Sequence, residues 1–427
     1  MSGARRKSTV DPKSIGPSLC VTQLVQLTQL GIPLEHVTWP RVTVTPNQWL
    51  CIRHTMTCRN SASTSADRCS VVTVFNPQRS KPQTYKVEAR CAKLNPDKPL
   101  LAITDQWTLY LYSTRTKKLL HKSRLERELV YWAWVTPSTL GLVTATLSST
   151  GTAPLVRVGR NGVVATHLLL LPATFFLPWR AGLQLSQRFC EGKASTQPVF
   201  MFALEERIRN TELVGYITDP SLKWLAVTGL FQEEQGVVSG LVQLHGVERR
   251  LSQLLPGQCA QLCRHQFPSH ERPSQLLLLA DRGPAGQRPE GRLHLIELGA
   301  GAGAAEATGA GALRGPIAET LEFFDPLDKF DFPVCLQVSS SQGLVYVLTK
   351  CGVVHLCDLE TVTPLCLHIV CPDITFTASL TPDCGLMVVS RNGQVLLVEI
   401  KKAALLRRIT EVVNRPAIAT RLRQTLP

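Results

Sequence analysis

His355 and Cys357 stand two residues apart in the run GLVYVLTKCGVVHLCDLET (343–361). Of all the spacings in this 427-residue chain, theirs comes nearest to a nucleophile beside its base. On a strand, alternate residues share a face, so imidazole and thiol would point together. A working thiolate needs a neighbouring cation, a metal or a helix N-terminus, and the sequence supplies none beside this pair. Packing between strands is the reading that the residues support. No GxSxG nucleophile elbow, HExxH metal pair or GxxxxGK[ST] phosphate loop occurs elsewhere, so no enzyme is expected. The Gly-rich tract GAGAGAAEATGAGALRG (299–315) follows the strand-like RLHLIEL, the place of a dinucleotide-binding loop. Counted from Gly299, its sixth position is Ala304, which meets only the looser fingerprint; counted from Gly309 it is Arg314, which fails. Without a βαβ unit around it, the tract reads as a low-complexity loop. No cofactor is expected.

Fourteen cysteines raise the question of metal or disulfide chemistry. Cys259 and Cys263, and Cys366 and Cys371, are near neighbours, but no CxxC…CxxC set with ligand spacing exists. Cys335, Cys351, Cys357 and Cys384 fall in strand or turn patterns, where a free thiol behaves as a small apolar residue. The basic N-terminus lacks the apolar core of a secretory signal, so reduced thiols in a cytoplasmic protein are expected. The net charge of +14 comes from scattered positive residues, with local clusters in ARRK (4–7), STRTKKLLHKSR (113–124) and KKAALLRR (401–408). No zinc finger, RRM or helix-turn-helix accompanies these clusters, and nucleic acid is not expected as a partner. The most apolar stretch, VVATHLLLLPATFFLP (163–178), is too short to span a bilayer and holds His167 and two prolines.

The elements that would position any site are strands with a rhythm. Apolar run, short break, apolar run, polar turn recurs at 99–122, 222–255, 274–299, 343–361 and 385–400, the last with Asn392-Gly393 at the break. Such dipeptides are strong hairpin signals. A beat of roughly 45–60 residues is near that of a propeller blade. The expected fold is all-β, a seven-bladed β-propeller, with a two-sheet sandwich array as the alternative. Residues 1–20 read as a disordered basic arm and 21–400 as the propeller. The rhythm breaks over an insertion at 145–195 and the loop at 299–315. Residues 401–427 change to helical spacing, with Leu405, Leu406, Ile409, Val412 and Val413 on one face. Asn414 and Pro416 then stop that helix and start a second. The pair reads as the start of a helical linker.

Several stretches together resemble the N-terminal β-propeller of clathrin heavy chains. They include VQLTQLGI (25–32), LNPDKPLLAITDQWTLYLYSTRTKKLLHK (94–122) and VYWAWVTPSTLGLVT (130–144). ITDPSLKWLAVTGL, VVSGLVQLHGVERRLSQ, GRLHLIELG, DFPVCLQVSSSQGLVYVLTKCGVVHLCDLET, RNGQVLLVEI and ITEVVNRPAIATRLR follow in the family's order. Details outside the period add specificity, notably Trp132 and Trp134, Lys223-Trp224 and DFPV. The resemblance implies a seven-bladed, non-enzymatic docking hub of vesicle coats, engaged in intracellular protein transport and endocytosis. It would sit on the cytoplasmic face of coated pits and coated vesicles, at the plasma membrane and trans-Golgi network. Its partners would be adaptor and accessory proteins with acidic-apolar linear motifs, and membrane contact would be indirect, through those adaptors. Without the family's leg after Pro427, trimerisation and light-chain binding are not expected of this chain. A stand-alone scaffold for acidic or nucleic-acid partners is the alternative.

Carried over position by position, the resemblance implies a peptide groove between the first two blades formed by Thr108, Tyr110, Tyr112 and Lys117, with Leu101 and Val87 lining apolar pockets. The family's glutamine is Tyr110 here, its phenylalanine is Tyr112, and its second lysine falls on Leu119. Lys118 would point to the opposite face of a regular strand, so a weaker hold on the ligand's acidic end is expected. A second pocket would use Trp39, Glu212 and Val214, with Glu212 replacing a neutral amide. A third groove, between the fourth and fifth blades, would use Trp224, Leu244, Arg249 and Gln253. The long 145–195 segment implies a deformed third blade.

Overall fold

The computed structural model describes residues 16–58, 67–105, 107–125, 129–136, 139–144, 206–221, 223–233, 236–246, 251–268, 270–282, 290–298, 317–322 and 331–427. Residues 1–15 of the arm expected over 1–20, the insertion at 145–195, the loop at 299–315 and Arg249 lie outside them, while Leu19 and Cys20, expected in the arm, open a strand. The chain divides into two compact units, one of Gln26–Ala260 and one of Met1–Val25 with Gln261–Pro427.

The strands follow the expected beat. After β1 (Leu19–Gln26), the Gln26–Ala260 unit opens with β2 (Val42–Val44), β3 (Leu50–Cys58), β4 (Asp67–Phe75) and β5 (Gln83–Lys86). A second sheet holds β6 (Cys91–Leu94), β7 (Leu100–Thr104), β8 (Thr108–Ser113) and β9 (Leu119–Arg124). A pair, β10 (Leu129–Thr136) and β11 (Thr139–Thr144), comes next. A one-turn helix α1 (Glu206–Arg209) precedes β12 (Glu212–Thr218), β13 (Trp224–Gln232), β14 (Val238–Gly246) and β15 (Leu251–Pro256). The other unit contains β16 (Cys259–His265), β17 (Ser274–Arg282), β18 (Glu290–Leu298) and β19 (Ile317–Glu322). It continues with β20 (Pro333–Ser339), β21 (Leu344–Thr349), β22 (Val353–Asp358) and β23 (Pro364–Ile369). Its last sheet has β24 (Thr375–Leu380), β25 (Leu386–Ser390) and β26 (Gln394–Ile400).

Within each sheet, strands adjacent in sequence are adjacent in space, and β1 completes the last sheet beside β26. Six four-stranded sheets and one two-stranded sheet among the described residues make the fold a β-propeller rather than a sandwich array. Consecutive four-stranded meanders are how that fold satisfies its strands. The β10–β11 pair is where the third blade was expected to depart, and the residues that follow it lie outside those described.

Turn chemistry explains the hairpins. Gly352 closes β21–β22 at φ +77, where a Cβ would fall 2.1 Å from the Cys371 carbonyl oxygen, so only glycine fits. Gly393 has φ +85, and the Asn392 side chain accepts from the Gln394 N–H. The strands between these turns are buried on both faces: every residue of β21 and β22 is buried, as continuous apolar runs predict. His355 and Cys357 belong to this core. Burial lowers His355 to about 4 and raises the Cys357 thiol, so the pair is packing.

After β26 come α2 (Lys402–Glu411) and α3 (Pro416–Thr425), separated by Asn414 at φ +56 with Pro416 in the first turn of α3. They fold back on their own unit. Leu405, Ile409, Ile418, Ala419 and Leu422 join the core formed by Tyr346, Leu356 and Val388. Eleven of the described cysteines are free thiols. Cys69 on β4 is disulfide-bonded, which corrects the all-reduced expectation. Spacing along the chain could not show this, since a disulfide is set by where chains meet in space. Among the described residues, no helix is long and apolar enough to cross a membrane.

Candidate functional site

The first two sheets of the Gln26–Ala260 unit meet along an apolar seam. Cys51, Val72, Val74, Tyr85 and Ala89 come from one side, and Ala92, Leu94, Leu101 and Ile103 from the other. Trp49, Val87, Tyr110 and Tyr112 are partly buried against this core and form its rim. The sequence TLYLYS dictates the arrangement by alternation. Leu109, Leu111 and Ser113 are buried, whereas Thr108, Tyr110 and Tyr112 are half-buried. Leu109 and Leu111 pack on the opposite face with Leu125, Leu129, Trp132 and Leu140.

The structure therefore brings Thr108, Tyr110, Tyr112, Val87 and Leu101 to one seam. Leu101 is fully buried beneath the tyrosines and forms the floor of the seam rather than the wall of an open pocket. Tyr112 meets Tyr85 across the seam at 6.2 Å between ring centroids, tilted by 57°, a pair worth about 0.5–1.5 kcal/mol beyond its buried area. Burial raises both phenols, so each stays neutral and able to donate. Tyr110 is held by its hydroxyl, which donates to Asp105 Oδ2 at 3.1 Å. Asp105 also accepts from the Trp107 and Thr108 N–H groups at 2.7 and 2.6 Å. Burial pushes its carboxyl up, but these hydrogen bonds outweigh it and the net direction is down. Its charge is thus spent inside the turn that starts β8.

Lys117 sits at the other end of β8 in a left-handed conformation, φ +58, its N–H donating to the Ser113 carbonyl at 2.9 Å. Lys117 and Lys118 are both exposed. Beyond them, β9 is not regular. Tyr112 pairs with Leu119, yet Leu111 pairs with His121, so Leu120 is an extra residue in the ladder. Both leucines are exposed, by 46% and 41%. The bulge resets which residues face the seam: Tyr110 lies opposite Lys122, and Thr108 opposite Arg124. Directly opposed residues share a face, and the Lys122 ammonium is 5.5 Å from the Tyr110 ring centroid. Sequence reasoning missed Lys122 and Arg124 because counting alternation across the turn gives the wrong parity unless the bulge is known.

The third group comes together in part. Trp224 pairs with Gly246, and Leu244 with Gln253, on one face of the fourth sheet. The Trp224 ring lies over Gly246 so closely that a Cβ there would be 2.8 Å away. Leu244 is buried and Gln253 exposed. The second group draws on two separate parts of the chain. Trp39 is half-buried after the short turn at Leu34–His36. Glu212 and Val214 lie on β12, where the Val214 carbonyl accepts from the Tyr131 hydroxyl at 3.1 Å. Among the described residues, no hydrogen bond or ion pair joins Trp39 to either. None of the described residues forms a group of three His, Cys, Asp or Glu that could hold a metal.

No protein-family model matches the chain. It is 27% identical over 421 residues to clathrin heavy chain 2 of Oryza sativa subsp. japonica, an alignment covering 96% of this chain and 21% of that protein. It is 26% identical over 400 residues to clathrin heavy chain 2 of Homo sapiens, covering 93% of this chain and 21% of the relative. The chain thus spans about a fifth of the length of the relatives it matches. The resemblance carried by the motifs therefore extends over nearly the whole chain, in both plant and animal relatives. A chain in the crystal structure of a mitotic checkpoint complex aligns with a TM-score of 0.50 and 10% identity, over 94% of this chain and 97% of that one. That likeness concerns the fold alone.

Proposed function

We propose that this chain, similar along nearly its whole length to clathrin heavy chains, is a clathrin-coat component that docks short linear peptides of adaptor proteins. The observation that carries the reading is the β8 rim: Thr108, Tyr110 and Tyr112 stand in a row over an apolar seam, with exposed cations at the adjoining turn. An extended peptide suits such a row, because its alternate side chains can enter the seam while an acidic end meets Lys117. The ligand would be of the type Leu-apolar-x-apolar-Asp/Glu. On this reading the protein acts at the cytoplasmic face of coated pits and vesicles, in intracellular transport and endocytosis, and reaches membrane through its adaptors. The grooves around Trp39 and around Trp224 would be secondary docking places.

The test is titration of a fluorescent Leu-Leu-Asp-Leu-Asp peptide against the parent and Lys117→Glu. Saturable binding by the parent, weakened about fivefold or more in the variant, is expected from loss of one cation and gain of a repelling charge. Indifference of the parent to the peptide, with retention on heparin or nucleic acid, would favour a basic scaffold instead.

A further inference from the structure

The four strands β6–β9 contain Lys93, Lys122 and Arg124 and no carboxylate. The acids in their turns are Asp97 and Asp105, and Asp105 is taken up by three hydrogen bonds. Lys122 and Arg124 are exposed, and neither takes part in an ion pair among the described residues. They lie on the seam face, opposite Tyr110 and Thr108, towards the end of β8 away from Lys117. Two residues apart on a strand, their side chains are roughly 6.6 Å apart, the repeat of alternate side chains in an extended peptide. The exposed Trp107 occupies the turn at that same end, its carbonyl accepting from the Leu125 N–H. The seam therefore has cations at both ends of its aromatic row.

Resting on the docking reading above, we infer that the seam selects an extended peptide with acidic side chains on both sides of its apolar core, the second acidic group being held by Lys122 and Arg124. Leu119 stands at the Lys117 end where the resemblance places a second lysine, and the bulge at Leu120 brings positive charge to the seam further along the same strand. The apolar residues enter over Tyr110 and Tyr112. The flanking carboxylates then meet the turn on one side and the Lys122–Arg124 row on the other. Charge complementarity thus favours an acidic segment of a partner protein.

Two peptides with the same apolar core distinguish the idea, one acidic only at the end that meets Lys117 and one acidic at both ends. Each is titrated against the parent, Lys117→Glu, the pair Lys122→Glu with Arg124→Glu, and the milder pair Lys122→Gln with Arg124→Gln. The doubly acidic peptide should bind the parent about fivefold tighter. That advantage should vanish in both double variants and persist in Lys117→Glu, while the singly acidic peptide binds the Gln pair as it binds the parent. An advantage that survives both double variants, or no advantage at all, overturns the inference and leaves docking standing. Failure of both peptides to bind the parent overturns docking and the inference together.

Discussion

His355 shows how a residue that suggests chemistry in the sequence becomes structure in the fold. It is 2% exposed between fully buried strands, and burial holds its pKa at about 4 against an ordinary 6.5. The folded chain keeps it neutral where an unfolded chain would take up a proton. Its contribution is therefore intact above pH 6.5 and is lost progressively as pH falls towards 4. By pH 5 the loss from this residue is about 2 kcal/mol. Urea melts at pH 7 and pH 5 should show His355→Leu losing less stability on acidification than the parent, by about that amount; equal losses would contradict a neutral buried imidazole. The same-face placement of His355 and Cys357 was legible from strand alternation. The positions of Lys122 and Arg124 were not, because one extra residue at Leu120 inverts the parity that alternation relies on.

The elements divide in the same way between local and non-local signals. Hairpins closed by Lys-Cys-Gly and Asn-Gly, and two helices split by Asn414 and Pro416, are written in adjacent residues and could be read directly. The Trp-x-Trp detail finds its reason only in contacts. Lys93 donates to the Trp132 carbonyl at 2.5 Å and lies 4.5 Å from the Tyr131 ring centroid, while the Trp134 indole donates to the Lys93 carbonyl at 3.2 Å. The second sheet is thereby clasped to β10. The docking of α3 was equally hidden. Arg421 pairs with Asp358, which is fully buried, and with Glu360 at 2.5 Å, and Glu360 also meets His265 at 3.2 Å. Removing the cation leaves the buried Asp358 charge without its counter-ion, though its Oδ2 still accepts from the Thr361 N–H and hydroxyl, so Arg421→Ala should destabilise its unit by about 3 kcal/mol. Hydrogen exchange over 416–425 should rise, and pairing the change with Asp358→Asn should recover part of the loss. Unchanged exchange in the single variant would mean that apolar packing alone holds the helix.

At the scale of the whole molecule, the period of the strands announced a β-propeller, and the order of strands in each sheet agrees with it. The pairing of β1 with β26 brings together residues such as Gln23 and Gln394, 371 positions apart, and no local pattern encodes it. The candidate seam was legible only through resemblance, since TLYLYS alone is an ordinary half-buried strand. Its rim, floor and flanking cations emerged from the meeting of two sheets. The most direct measurement is photo-crosslinking of a Leu-Leu-Asp-Leu-Asp peptide to the full chain, with the attachment sites read by mass spectrometry. Docking in the seam predicts attachment within residues 85–87 and 108–124, suppressed by excess unlabelled peptide. Competed attachment confined to the surroundings of Trp224 or Trp39, or no competed attachment at all, would contradict it.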